Sequence, residues 1–288
     1  MRVLVTGAGG QVGRSLIGQV PSGVEALGWG HKDLDITDAR AVKEKVLQTA
    51  PDVIINAAAY TAVDRAESEP DLARRINVDG ARHLAAAARA IGARLIHIST
   101  DFVFDGTASV PYGPDASTNP LSVYGATKRD GERAVLAELP EHCVILRTAW
   151  VYAADGTNFV RTMLRVMKAN GSARVVADQV GTPTAALSLC EVLWKIIEKP
   201  AITGTHHWTD AGVASWYDFA VAIAEEAAEL GLLGGEVTVT PIATHEYPTP
   251  ARRPPYSVLD KSSLTSRGFA SIHWRRRLRD VLGEIKHG

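Results

Sequence analysis

Tyr124 and Lys128 stand four residues apart in the run Ser122-Val123-Tyr124-Gly125-Ala126-Thr127-Lys128. On a helix that spacing places a phenol and an ammonium on one face. An ammonium beside a phenol favours the phenolate and lowers a pKa that is ordinarily about 10. The pair therefore predicts a phenol that releases its proton more readily than usual. Upstream, an apolar run ends in Ser99-Thr100-Asp101, which sets a hydroxyl at a strand end. A hydride arriving at a carbonyl carbon leaves negative charge on oxygen. Tyr124 can protonate that oxygen and Thr100 can donate a hydrogen bond to it. The expected chemistry is reduction of a ketone, and it requires a place for a hydride donor.

The elements around these residues supply one. The run Arg2–Thr6 reads as a strand and passes directly into Gly7-Ala8-Gly9-Gly10-Gln11-Val12-Gly13 and then a helix. Glycines let the backbone approach a pyrophosphate, and the free N–H groups at the helix start bind an anion. The spacing is G-x-x-G-x-x-G, with Gly9 adding flexibility. Further strands are expected at 24–28, 53–56, 94–99, 143–147 and 174–176. Helical patterns lie between them at 11–19, 39–49, 71–91, 123–139 and 185–198. Continuous apolar strands alternating with helices predict an α/β fold, a Rossmann-type doubly wound parallel sheet covered on both faces. Residues 1–150, with about 185–210, form the expected dinucleotide-binding domain. Residues from about 151–184 and 211–288 form a smaller, interleaved substrate domain. Within it, 158–170 reads as a helix ended by Gly171 and 215–230 as one capped by Ser215, while prolines between Pro241 and Pro255 break regular structure.

The second strand ends near Trp29, where an acid would bind the ribose 2′-hydroxyl of NAD. The chain instead reads Trp29-Gly30-His31-Lys32, with no acid until Asp33. A basic pair there suits a 2′-phosphate, so NADPH is expected, with NADH left open. Asp35 and Ile36 are placed to flank an adenine. The small residues Ala57, Ala58 and Ala59, with Tyr60, leave room for the cofactor after the third strand.

Composition narrows the partners. A chain of 288 residues, 46% hydrophobic, buries a large core, and a formal charge of −1 carries no footprint for nucleic acid or a membrane surface. No stretch reaches membrane-spanning length and the N-terminus enters a strand at once, so a cytoplasmic location is the expectation. Cys143 and Cys190 lie in apolar segments and read as core residues.

The glycine loop, Thr100, Tyr124 and Lys128 together resemble the extended short-chain dehydrogenase/reductase superfamily. The strings Ser99-Thr100-Asp101-Phe102-Val103-Phe104-Asp105-Gly106, Arg147-Thr148-Ala149-Trp150-Val151-Tyr152 and Asp178-Gln179-Val180-Gly181-Thr182-Pro183-Thr184, with Gly10-Gln11-Val12-Gly13, are similar to its dTDP-4-dehydrorhamnose reductase branch. The resemblance runs from Met1 to about Asp260. It implies NAD(P)H-dependent reduction of the C4 ketone of dTDP-6-deoxy-L-lyxo-4-hexulose, with Tyr124 as general acid and Lys128 as its partner. It further implies that Thr100 and Asp101 contact the sugar and that Trp150 packs against it. By the same resemblance Gly10, Gln11, Val12, Ala57, Ala59 and Tyr60 line the cofactor, and Asn158, Gln179 and the Arg252–Ser257 region face the nucleotide-sugar. Cationic donors there suit a diphosphate.

The resemblance has one departure. Some members join subunits through magnesium bound by glutamates, one of them early in the first helix. Ser15 stands at that place here, the C-terminal end carries Lys286-His287, and Glu191 alone makes no site, so no metal is expected. Monomer and homodimer both stay open. Two alternatives share these motifs. One is a non-catalytic NADP-binding protein like the regulatory subunit of methionine adenosyltransferase. The other is a nucleotide-sugar 4-epimerase or another 4-ketoreductase.

Overall fold

Six short strands pair into one parallel sheet in the computed structural model, which describes residues 1–287. They are β1 (Arg2–Thr6), β2 (Glu25–Trp29), β3 (Val53–Asn56), β4 (Arg94–Thr100), β5 (Cys143–Thr148) and β6 (Gly204–His207), in the spatial order β6-β5-β4-β3-β1-β2. Successive strand residues point to opposite faces, and both faces are covered. Val3, Val5, Ile96, Val144 and Leu146 pack with Leu16, Leu189 and Leu193 from the helices Gln11–Gly18 and Ala186–Ile197. Leu4, Ile54, Leu95 and Ile145 pack with Val42, Leu84, Ala88 and Val135 on the other side. That double burial is why these strands read as uninterrupted apolar runs.

The chain reverses its winding between β1 and β3, and the crevice beyond their carboxyl ends is where such sheets bind ligands. Gly7 and Ala57 meet there. A Cβ on Gly7, whose φ is +72°, would lie 2.6 Å from the backbone of Ala57 and Ala58. A Cβ on Gly13 would lie 2.2 Å from the Gly7 carbonyl oxygen and 2.6 Å from the Ala8 Cα. Gly10 begins the helix Gln11–Gly18 with no side-chain cap, so its first N–H groups face the crevice without a side-chain acceptor. Gly13→Ala is expected to force this loop open and cost about 1–3 kcal/mol. Thermal melts and titration with NADPH would register both the lower Tm and the weaker binding.

Three expectations are corrected. The run at 174–176 does not join the main sheet: Ser172–Val176 pairs in parallel with Thr238–Ile242 in a separate two-stranded ladder. Pro241 lies within that partner strand, so the proline-rich stretch does begin inside regular structure, at an edge where a missing N–H is tolerated. The sixth position in the main sheet belongs to β6, whose Gly-Thr-His-His sequence carries no apolar signal. Its buried His207 is satisfied instead through Nδ1, 3.0 Å from the Tyr112 carbonyl oxygen, and burial pushes the imidazole down to about 3. The helix expected at 71–91 is broken into Pro70–Arg74, a π-turn at Arg75–Gly80, and Ala81–Ile91.

Other elements form as expected. Asn158 caps the helix Phe159–Asn170, which ends at Gly171 with φ +65°. Ser215 caps Trp216–Glu229 in a reciprocal pair with Asp218. A C-terminal helix that was not expected from the sequence, Trp274–His287, packs Leu278 and Leu282 against Phe219 and Ile223 in a second core. Both cysteines are free and buried, and burial pushes the Cys143 thiol up to about 11. No described helix is long and apolar enough to cross a membrane.

Candidate active site

Thr100 ends β4 and Tyr124 opens the helix Val123–Glu138, so both reach the carboxyl edge of the sheet. Ser122 caps that helix by accepting from the Gly125 N–H at 3.2 Å, and the Val123 N–H donates to Glu67 Oε1 at 2.8 Å. The Tyr124 ring meets Phe102 edge-on at 5.6 Å. One turn on, Lys128 Nζ donates to the Ile98 carbonyl oxygen at 2.7 Å. All three side chains line one cavity of about 500 Å³, together with Asp101, Gln11, Ala57 and Trp150.

The electrostatics reverse one expectation. Burial pushes the Tyr124 phenol up to about 12, the Asp101 charge adds in the same direction, and the Thr100 hydroxyl pulls against them. Burial also drives Lys128 down to about 8, while Glu132 supports its charge. Tyr124 therefore holds its proton at neutral pH, the state a proton donor needs.

Asp101 is buried, and burial raises its carboxyl to about 6 against the pull of the Ser257 and Thr100 hydroxyls. Its Oδ1 accepts from Thr100 Oγ1 at 3.1 Å, whereas Oδ2 has no partner. Raised from 3.8, the folded carboxyl keeps a proton that the unfolded chain has lost, so stability declines as pH rises between 3.8 and about 6. Above that window the charge costs about 3 kcal/mol. Asp101→Asn should raise Tm at pH 7, and the gain should vanish near pH 4 in thermal melts at the two values.

The cofactor-side residues fall into two groups. Gly10, Gln11, Val12, Ala57 and Ala59 line the same cavity as Tyr124. Gly7 lies beneath, Ala58 donates its N–H to Asn56 Oδ1 at 3.1 Å, and Tyr60 turns its hydroxyl to Glu69 at 2.6 Å. His31, Lys32 and Asp35 lie exposed beyond β2, and Ile36 is buried against Gly80. Asp33 Oδ2 accepts from the Gly30 N–H at 2.8 Å, so its carboxylate is folded onto its own turn.

On the substrate side, Trp150 stacks on Trp216 with ring centroids 3.5 Å apart and planes 6° from parallel. Trp150 has φ +49°, in the left-handed region that bulky side chains avoid. Asn158 Nδ2 donates to Gln11 Oε1 at 2.9 Å, joining the second half of the chain to the glycine loop. Gln179 and Arg252 sit apart from Tyr124, on an adjoining cavity with Asp178 and Thr244. The arginine that reaches the cavity of Tyr124 is Arg253, whose Nη2 lies 2.8 Å from Asp64 Oδ2. Arg253 and Trp216 also line a further cavity of about 520 Å³, with Phe159, Met163, Val166 and Tyr247. Glu191 is taken by Arg277, at 2.6 Å.

Arg253 falls in the Arg252–Ser257 region that the resemblance placed at the nucleotide-sugar, whereas Trp216, Thr148 and Asn77 were not singled out from the sequence. Asn77 lies buried in the π-turn, where it accepts from the Tyr60 N–H at 2.8 Å and donates to Thr127 Oγ1 at 3.0 Å. It thus ties the cofactor loop to the helix of Tyr124 and Lys128. Its signal was an Asn and a Gly inside an otherwise alanine-rich helical stretch.

The chain matches the RmlD substrate binding domain family over residues 1–287. It is 45% identical to a dTDP-4-dehydrorhamnose reductase of Streptomyces griseus over 286 residues, covering 96% of this chain and 91% of that one. The solved structure of a dTDP-4-dehydrorhamnose reductase from Clostridium acetobutylicum superimposes with a TM-score of 0.94 at 43% identity, covering 99% of this chain and 100% of that one. A Bacillus anthracis dTDP-4-dehydrorhamnose reductase, solved in complex with NADP, gives a TM-score of 0.93 at 38% identity, covering 98% and 99%.

Proposed function

The chain belongs to the RmlD substrate binding domain family, and on that footing we propose that it is an NADPH-dependent reductase, with NADH an alternative donor. It reduces the C4 ketone of dTDP-4-dehydro-6-deoxy-L-mannose (dTDP-6-deoxy-L-lyxo-4-hexulose) to give dTDP-L-rhamnose. The observation that carries this reading is the convergence of Thr100, Tyr124 and Lys128 in one cavity with the glycine-loop residues Gln11 and Val12. When bound, the nicotinamide supplies the hydride. Thr100 steadies the carbonyl oxygen, and Tyr124 passes its proton to that oxygen as negative charge develops. Lys128, anchored on the Ile98 carbonyl oxygen, holds positive charge beside the cofactor ribose.

The cradle suits a dinucleotide because the glycine loop leaves backbone space and unfilled N–H groups at a helix start. The exposed His31 and Lys32, with Asp33 folded onto its turn, favour a 2′-phosphate over a bare ribose. Segments 151–184 and 211–288 are assigned to substrate binding. The sugar rests against Trp150, and Asn158 holds the loop over it. The nucleotide extends past Arg253 and Trp216 into the adjoining cavities, where Gln179 and Arg252 face it. Arg253 lies at the junction, where a diphosphate needs a cationic fork. The reading calls for no nucleic acid, membrane or metal, and it holds for a monomer or a homodimer in the cytoplasm.

The test is a spectrophotometric assay. Purified protein should consume NADPH only when the 4-keto dTDP-sugar is added. Tight NADP binding with no consumption would instead favour a binding protein.

A further inference from the structure

Thr100 and Thr148 lie opposite each other in the parallel ladder between β4 and β5. Partners in register project to the same face of a sheet, on strands about 4.8 Å apart. Both side chains line the catalytic cavity. The Thr100 hydroxyl is engaged, donating to Asp101 and accepting from the Phe102 N–H at 3.2 Å. That of Thr148 is not: the residue is 5% exposed and its Oγ1 has no hydrogen-bond partner. A buried hydroxyl left unpaired destabilises the fold, and valine would fill the same space without that cost.

A second residue of the same cavity carries an unpaired buried atom, Asp101 Oδ2. One orphan is a carboxylate oxygen that accepts, and the other is a hydroxyl that donates. The group that satisfies both at once is a hydroxyl, which donates to the first and accepts from the second. Neighbouring ring carbons of a sugar carry their oxygens close enough for two hydroxyls on adjacent strands to hold one each.

We propose that Thr148 is a substrate-recognition residue: its hydroxyl holds the sugar hydroxyl vicinal to the ketone, making the site selective for an α-hydroxyketone. Tyr124, with the Thr100 hydroxyl once substrate draws its proton away from Asp101, holds the oxygen being reduced, and Thr148 with Asp101 holds the next one along the ring. The inference rests on the reductase reading and adds the part of the sugar that is recognised.

Thr148→Val should lower kcat/KM for the keto-sugar nucleotide by about 10–100-fold, the cost of one lost hydrogen bond to a buried partner. The Kd for NADPH should not change, and Tm should be equal to or above that of the native chain. Thr148→Ser should restore most of the rate. With an analogue lacking the vicinal hydroxyl, the native chain and Thr148→Val should be alike. A Thr148→Val chain as active as the native one would overturn the proposal. So would a fall in Tm together with activity that serine does not rescue. Should the native chain fail to reduce the sugar at all, the reductase reading falls instead. Calorimetric binding of the dTDP-sugar then decides for Thr148 alone: about tenfold weaker binding by Thr148→Val supports it and equal binding overturns it.

Discussion

Tyr124→Phe lowers kcat for ketone reduction by about 10²–10⁴-fold, the range removed with a general acid, and leaves NADPH binding and Tm unchanged. The substitution deletes one hydroxyl and keeps the ring that meets Phe102 edge-on at 5.6 Å. At neutral pH that hydroxyl carries its proton, because burial and the Asp101 charge hold the phenol up at about 12. A developing alkoxide is a stronger base than a phenolate, so the transfer runs downhill even from so weak an acid. Lys128, lowered to about 8 and bonded to the Ile98 carbonyl oxygen, stays largely charged at neutral pH on the wall of the same cavity. Steady-state kinetics with an NADPH titration measures both parts. A loss confined to KM, with kcat intact, would mean that Tyr124 only binds.

Arg147→Met destabilises the protein by about 3–5 kcal/mol, because it leaves a buried carboxylate without its cation. Arg147 on β5 grips Glu132 through two contacts, Nε to Oε1 at 2.9 Å and Nη2 to Oε2 at 2.7 Å. The two side chains are 6% and 4% exposed. Nη1 reaches the Pro114 carbonyl oxygen at 3.1 Å, and Ser99 Oγ donates to the same Glu132. Glu132 lies one turn beyond Lys128 on the same helix, and its other partner Ser99 lines the Tyr124 cavity. Chemical denaturation should show the loss. Replacing both partners, as Glu132→Leu with Arg147→Met, should recover most of it, since neither charge is then stranded. A double variant no more stable than Arg147→Met would mean that the arginine acts through its other contacts.

The parts of the fold that bury apolar surface were legible in the chain. β1, β3, β4 and β5 are sealed on both faces, so their sequences had to be continuous aliphatic runs, and the glycine loop was fixed by close backbone approach. β6 escaped notice because its burial is satisfied by hydrogen bonds from histidines rather than by apolar side chains. The π-turn at Arg75–Gly80 was hidden for a related reason: its sequence is helical, and what breaks the helix is the tertiary demand on Asn77.

At the site, Tyr124, Lys128 and Thr100 were readable because one helix face and one strand end bring them together. The depth of the cavity could not be read from spacing, and it decided the direction of the Tyr124 shift. Thr148 was passed over because it becomes informative only through a neighbour distant in sequence, Thr100; of the Arg252–Arg253 pair, the partner Asp64 marks Arg253 as the one at the Tyr124 cavity.

The most direct measurement of the central claim uses NADPH deuterated at the position that leaves, incubated with the 4-keto dTDP-sugar, and follows the product by NMR. Direct reduction places deuterium at C4 of the 6-deoxy sugar, one equivalent for each NADPH oxidised. An unlabelled, epimerised sugar with no net loss of NADPH, or no product at all, would contradict it.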